Sequence, residues 1–426
     1  MKLCSEETYA CLLESAESHA QIGRYSFIAF SPLSVFKQDA TSTTNIFDAF
    51  EKEMQGLSYE SDAALPRLQC GFIGYFTYET VRYAAPVQIT IHKEEQEKPE
   101  ALFFLPRYVI AFDHYNKTIT LIAYSEEDLN ELRQRYEIAL RAGVQSPELH
   151  KTARAIEPHM NATDQKRFTT MVDEAQKAIS AGEVFQIVLS HQYSEKTTDT
   201  PLTVYRRLRI SAPSPYMYLL QFPDHAVIGA SPETLVRTEN GDVVVRPIAG
   251  TRHRGSTKER DEQLAVELIN DEKEQAEHMM LVDLGRNDVG TVSVPGSVRV
   301  TQHMALERFS HVMHLVSEVR GKMAPDKGLI DVFKACFPAG TLTGAPKIRA
   351  MELINKLEQR SRGVYGGAVG YFGLNNEMDF AIAIRTMLYK NSEVTLQTGA
   401  GIVYDSKPEL ELKECLNKAR SCYSAL

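Results

Sequence analysis

Apolar residues recur along the first 145 positions in short runs, broken by glycine, proline and polar turns. Tyr25–Phe30, Cys70–Phe76 and Tyr108–Phe112 are rich in aromatic and branched side chains and predict strands. Asp113–Lys117 reads as a turn leading into a further strand, Thr118–Ile122. A charged helix from about Glu126 to Ala142 closes this part. The polar segment Gly143–Thr163, with Ser146-Pro147 and Glu157-Pro158, reads as a linker. Beyond it, Asn161-Ala162-Thr163 signals the start of a helix over about Asp164–Ala181 that stops at Gly182. A strand follows at Val184–Ser190, and the last helix covers about 409–426. These patterns divide the chain into a lobe of residues 1–145, a linker at 146–163 and a second region at 164–426. Strands scattered among helices without a regular βαβ period predict an α+β fold rather than a doubly wound sheet.

The 426 residues are 43% hydrophobic, ample for a large core, and the formal net charge is −9. No basic run occurs, which argues against a nucleic-acid partner. An acidic protein that handles an anion must gather its cations locally. The six cysteines (Cys4, Cys11, Cys70, Cys336, Cys415, Cys422) form no Cys-x-x-Cys pair and read as free thiols of a reducing compartment. Apolar stretches such as Ala101–Leu105 are too short to span a bilayer, and the N-terminus lacks a signal-peptide pattern. The expectation is a cytoplasmic protein without a membrane partner.

Three patterns suggest chemistry. Glu274 and Glu277 lie three apart in a helical segment, as do Glu411 and Glu414, so each pair shares a helix face. Alone, such a pair equally describes a solvated surface. Brought together, four carboxylates would repel, and a hard divalent cation such as Mg²⁺ would relieve the conflict. Arg385 sits in the apolar run Phe380–Thr386, read as a strand, where an unpaired guanidinium is costly and a carboxylate is its natural partner. Gly399-Ala400-Gly401 lets backbone N–H groups approach an anion.

The runs Ala230–Val236 and Pro247-Ile248-Ala249-Gly250-Thr251-Arg252 resemble the chorismate-utilising enzymes, which replace the 4-hydroxyl of chorismate with water or ammonia. Lys273–Asp288 and Gly399–Lys418 resemble that family's magnesium-binding segments. The resemblance implies a two-lobed α+β structure with large facing antiparallel sheets and outer helices. It implies Glu277 and Glu414 as direct Mg²⁺ ligands with Glu274 and Glu411 behind them, and Glu233 as the general acid for the departing hydroxyl. His311 would stand near the enolpyruvyl group. Arg385, Tyr365, Lys418, Thr341, Gly250, Thr251 and the Gly399–Gly401 backbone would contact substrate.

Two positions narrow the chemistry. Ala249 occupies the place where some aminodeoxychorismate synthases carry a nucleophilic lysine. Gln186 occupies the place of the lysine base in members that use water. Both departures imply direct addition of ammonia, as in the large subunit of anthranilate synthase. No cysteine has a nucleophile-elbow context, so a separate glutamine amidotransferase subunit would supply the ammonia in a hetero-oligomer. Glu14-Ser15 and Pro215-Tyr216-Met217 resemble the family's tryptophan-inhibition elements, with Ala212 departing from the usual asparagine. The rival readings are an aminodeoxychorismate synthase without the lysine, and a catalytically silent tryptophan-binding protein.

Overall fold

A computed structural model describes residues 2–4, 6–16, 23–57, 59–60, 62, 64–92, 99–143, 156–309 and 312–426. Most of the 146–163 linker therefore lies outside the described residues. The first elements are β1 (Ala10–Glu14), β2 (Tyr25–Asp39), α1 (Ile46–Gln55), β3 (Gly71–Phe76), α2 (Val81–Ala84), β4 (Pro99–Asp113), β5 (Thr118–Ala123) and α3 (Glu126–Arg141). Then come α4 (Ala162–Ser180), β6 (Gln186–Lys196), α5 (Pro201–Ser211), β7 (Tyr216–Gln221), β8 (Ala226–Ser231), β9 (Thr234–Glu239), β10 (Asp242–Val245) and β11 (Ile248–His253). They are followed by α6 (Lys258–Ile269), α7 (Glu272–Gly290), β12 (Arg299–Arg308), β13 (Val312–Lys322), α8 (Leu329–Cys336), β14 (Gly344–Ala345) and α9 (Lys347–Glu358). The chain ends with β15 (Ala368–Gly373), β16 (Met378–Ile382), β17 (Thr386–Lys390), β18 (Glu393–Ile402) and α10 (Pro408–Tyr423).

Every strand pairing among the described residues is antiparallel, and together they make one folded-over surface. One layer runs β6, β18, β17, β8, β7, β1, β2, β4, β5. The other starts from the opposite end of β4 and runs β3, β15, β16, β9, then β10 and β11 beside β13, and finally β12. The two 15-residue strands β2 and β4 belong to both layers. They turn the corner where Pro32 stands opposite Pro106, beside a register shift and a left-handed Ser31 at φ 59°. Proline lacks the N–H that a continuous ladder would need, so the bend falls where the ladder is already interrupted.

The two layers face each other across a core that joins Cys11, Ala29, Tyr218 and Val227 of one to Ile73, Tyr75, Val369 and Ala381 of the other. Helices cover the outer faces. A second core places α4, α5, α9 and α10 on the β6–β8 side. A third places α1, α7 and α8 against β3, β15 and β16. Strands β3 and β15 are buried at every position because both of their faces are covered, which is why they read as unbroken apolar runs. The architecture is the α+β arrangement of antiparallel sheets and outer helices expected above. Residues 10–14 pair with β7 and residues 71–76 with β15, so both parts of the chain contribute to the same sheets and cores.

Local signals hold at α4, where the Asn161 side chain accepts from the Asp164 N–H and Gly182 follows the helix at φ 78°. Two expectations need correction. Val184 and Phe185 precede the strand, which begins at Gln186. Arg385 is not within a strand: it occupies the turn between β16 and β17 with φ 48°. Its apolar neighbours belong to two different strands, which a single hydrophobic run conceals. The six cysteines are all buried free thiols. Among the described residues no helix is long and apolar enough to cross a membrane.

The outer core of the second layer is built from phenylalanines. Phe372 lies 4.6 Å from Phe380 and 5.3 Å from Phe50, ring centre to ring centre, and all three are fully buried. Phe372→Ala is expected to lower stability by about 3–5 kcal/mol, the loss of a buried ring plus its cavity. A urea titration reads this directly; a loss below about 1 kcal/mol would show that the cluster is not a shared core.

Candidate functional site

Glu233 sits in the turn between β8 and β9. The Ser231 hydroxyl donates to the Ile382 carbonyl at 2.6 Å, while the Glu233 carbonyl accepts from the Ile382 N–H at 3.0 Å. This stitching presents the Glu233 side chain to an open cavity of about 420 Å³ that Thr341, Asp288 and Arg246 also line. Thr341, in the short 3₁₀ turn Gly340–Leu342, donates to Glu233 Oε1 at 3.0 Å. Burial raises the carboxyl to about pH 7, against the lowering effects of the Thr341 hydroxyl, Lys418 and Arg385. A carboxylic acid in this state can donate a proton at neutral pH.

Arg385 is buried enough for desolvation to lower its pKa, and Glu233 is one of the charges acting on it. Its guanidinium makes no hydrogen bond or ion pair among the described residues. A desolvated cation on a left-handed residue, costing of order 1 kcal/mol in backbone strain, is a provision for an anion that the described residues do not supply.

Ala249 is buried on β11, and the ladder with β13 slips between Ala249 and Thr251, where Gly250 takes φ 72°. The resulting bulge turns the Gly250 carbonyl and the Thr251 hydroxyl toward His314 Nδ1, each at 3.0 Å. Burial keeps His314 below the ordinary histidine pKa, and Arg385 lowers it further. His311 lies outside the described residues. The histidine that the structure places against Gly250 and Thr251 is therefore His314, which the sequence reading passed over.

The glutamate pairs occupy α7 and α10. Glu277 is raised by burial first, then by Glu274 and Glu414; Glu411 is raised by burial first and then by Glu414, against the Ser406 hydroxyl and nearby lysines. The two helices thus bring the four carboxylates into one field. Arg252 holds Glu274 at 3.0 Å, and Lys418 holds Glu414 at 2.8 Å. Among the described residues no three His, Cys, Asp or Glu side chains converge closely enough to hold an ion as a cage. The donor set is all oxygen and mutually repelling. That suits a cation such as magnesium, which takes one or two carboxylates and otherwise water and substrate.

The remaining expected residues border these groups. Gln186, the first residue of β6, reaches Glu277 Oε1 at 3.5 Å, the outer limit of a hydrogen bond. A Cβ on Gly401 would stand 2.6 Å from the Gln186 amide nitrogen, and one on Gly399 would stand 2.6 Å from the Tyr365 hydroxyl. These glycines let both side chains lie flat on β18. Lys418 donates to the Gly399 carbonyl at 2.9 Å. Beyond Leu396 strand β18 pairs with β6 but not with β17, so one backbone edge of Gly399, Ala400 and Gly401 is without a strand partner among the described residues.

The elements singled out for an amino-acid inhibitor also meet. Antiparallel pairing sets Glu14 opposite Met217, and the Ala16 N–H bonds the Ser214 carbonyl, which puts Ser15 beside Pro215. Glu14 accepts from Tyr205 at 2.6 Å and pairs with Arg209 at 3.1 Å; Tyr216 donates to Asp379 at 2.8 Å.

Beneath the site lies an ion pair that sequence reasoning missed. Arg362 and Glu358 are about 1% exposed and bonded at 2.7 Å and 2.9 Å. Arg362 also donates to the Leu342 carbonyl at 2.6 Å and the Val188 carbonyl at 2.8 Å, and Glu358 accepts from Ser190 N–H and hydroxyl. An i, i+4 Glu–Arg spacing across a helix end looks like a surface pair, so only the packing reveals it.

An antiparallel sandwich with a neutral acid, an unpaired arginine and two converging glutamate pairs defines a class. The model of the chorismate binding enzyme family matches residues 9–424, and the chain belongs to that family. It is 41% identical along its whole length to anthranilate synthase component 1 of Mycolicibacterium smegmatis, covering 87% of that protein. The solved anthranilate synthase component I of Streptococcus pneumoniae matches with a TM-score of 0.83 and 37% identity, over 96% of this chain and 93% of that one. The menaquinone-specific isochorismate synthase of Escherichia coli shares the fold, with a TM-score of 0.75 at 20% identity, over 100% of this chain and 90% of that one.

Two outcomes follow from the geometry. Arg362→Met leaves Glu358 buried and unpaired and is expected to cost about 3–5 kcal/mol, part of which returns in the double variant with Glu358→Met. Urea midpoints of the three proteins check this, and a single-variant cost under about 1 kcal/mol would contradict it. Because Glu233 is raised from 4.5 to about 7, the native state holds a proton that the unfolded chain releases between these values. Stability is fully retained below pH 4.5 and falls as pH rises toward 7. The advantage of Glu233→Gln over the parent should therefore grow by roughly 2–3 kcal/mol between pH 4.5 and pH 8. A pH-independent difference would show that the carboxyl titrates normally.

Proposed function

We propose that this chain is the ring-aminating component of an anthranilate synthase, converting chorismate and ammonia to anthranilate and pyruvate. The observation behind this reading is the neutral Glu233 carboxyl held beside the unpaired Arg385, with no nucleophilic side chain at position 249 and an amide at position 186. Arg385 binds one carboxylate of chorismate. Glu233 gives its proton to the 4-hydroxyl as that group leaves as water. Ala249 offers no side chain to attack the ring, and Gln186 cannot deprotonate water. Ammonia needs neither service, since it is already nucleophilic and forms the new C–N bond itself. Loss of the enolpyruvyl group as pyruvate, together with the ring proton at the aminated carbon, then gives the aromatic product. His314, neutral and fixed by Gly250 and Thr251, is the base within reach of that second stage.

Glu277 and Glu414, with Glu274 and Glu411 behind them, would hold Mg²⁺, whose positive charge suits a substrate carboxylate. Lys418 must then share Glu414 with the metal. Ammonia would come from a separate glutamine amidotransferase subunit, since none of the six buried thiols is placed as an exposed nucleophile. The junction of Glu14-Ser15 with Pro215-Tyr216-Met217 is the place for tryptophan to act as feedback inhibitor.

The test is to incubate the purified chain with chorismate, concentrated ammonium salt at neutral pH and Mg²⁺, and to follow product mass and fluorescence. Anthranilate and pyruvate are expected in equal amounts, abolished by EDTA, with kcat lowered at least 100-fold, about 3 kcal/mol, in Glu233→Gln. A non-aromatic amino product would move the reaction to the aminodeoxychorismate branch. No consumption of chorismate would overturn the assignment.

A further inference from the structure

A cavity of about 680 Å³ opens between the two layers and shares no lining residue with the cavity at Glu233. That space includes the solvent at its open mouth, and the enclosed part is far smaller. Part of the wall is apolar, from Leu388 on β17 and from Tyr75, Val364 and Tyr365. Two polar atoms in this lining are buried without a partner: Gln397 Oε1, on a residue 4% exposed, and Thr77 Oγ1, on a residue 6% exposed. Gln397 cannot turn its amide to escape, because its Nε2 donates to the Ser190 hydroxyl at 2.7 Å, and that hydroxyl in turn bonds Glu358. An acceptor locked in this way costs about 1–3 kcal/mol when nothing donates to it.

The charges around the cavity are already balanced. Arg362 is neutralised by Glu358, and at the half-exposed mouth Asp224 faces Lys390 at 3.7 Å. His225 is held neutral by burial, with Nδ1 against Asp224 at 2.8 Å and Nε2 against the Tyr75 hydroxyl at 2.9 Å. A carboxylate accepts only, so Nδ1 carries the proton and Tyr75 donates to Nε2. An ionised guest would find no free counter-charge within and would lose its hydration.

We propose that this cavity is a second ligand site, for a small uncharged molecule with an apolar, ring-sized body and one O–H or N–H donor directed at Gln397 Oε1. The site stands apart from the junction of Glu14-Ser15 with Tyr216, none of which lines it. Titration calorimetry on the full chain near pH 7 tests it with 4-ethylphenol, and with 4-ethylanisole as the same body lacking the donor. 4-Ethylphenol is expected to bind at one site per chain with Kd below about 1 mM, and the ether about tenfold more weakly, the worth of one hydrogen bond. Leu388→Phe and Leu388→Trp, which fill the cavity from the face of β17 that Thr395 shares, should abolish binding while leaving the urea midpoint within the range of a surface substitution. Absence of saturable binding, equal affinity for the two probes, or binding unchanged in a folded filled variant would overturn the proposal and leave water as the occupant. If neither filled variant folds, the comparison of the two probes still decides the outcome.

Discussion

The buried Glu358–Arg362 pair is the interaction on which the catalytic side of this molecule depends. Through Arg362 it grips the carbonyls of Leu342 and Val188, and through Glu358 the backbone and hydroxyl of Ser190. Glu79 takes the Arg362 and Gly363 N–H groups from the other layer. One ion pair thus joins the turn that aims Thr341 at Glu233, the strand that begins at Gln186 and the loop that presents Tyr365. Desolvating both ions is expensive, and the surrounding hydrogen bonds are what make the arrangement tolerable. Its value lies in geometry, because it specifies the spacing of three elements that chain connectivity leaves independent.

On that frame the site is an arrangement of unbalanced charge. Glu233 is short of solvent and so keeps its proton near neutrality, while Arg385 is desolvated without an anion. Across from them, α7 and α10 bring four carboxylates into one field, partly offset by Arg252, Lys273 and Lys418. Each group is unfavourable alone. A dianionic substrate with a divalent cation would satisfy both sides, and this is the physical content of the match to chorismate binding enzymes. The backbone strain at Arg385 and the bulge at Gly250 fall at the same place, where local rules yield to positioning.

Local structure was legible wherever a short-range signal exists. The Asn161 cap and Gly182 bounded α4, and the three-residue spacing put each glutamate pair on one helix face. The segments 230–252, 273–288 and 399–418 stood out because their motifs are contiguous. What escaped is non-local. The pairing of β3 with β15 joins residues some 300 positions apart, and no pattern within either strand names its partner. Pro32 and Pro106 made β2 and β4 look like shorter strands, because only their mutual alignment shows that one bend serves both. Arg385 was placed in a strand because the apolar residues around it belong to two strands and the turn between them has no glycine. His314 emerged only from the structure, because the bulge at Gly250 that brings it to Thr251 has no mark in the local sequence.

Glu233 keeps a large protonated fraction at neutral pH, where an ordinary glutamate is ionised. Infrared difference spectroscopy can follow the protonated carboxyl band, assigned by its absence in Glu233→Gln, across a pH titration of the intact chain. This band is expected to half-titrate near pH 7. Titration near the ordinary glutamate value of 4.5 would mean that the site holds a carboxylate, and the proton donor would have to be sought elsewhere.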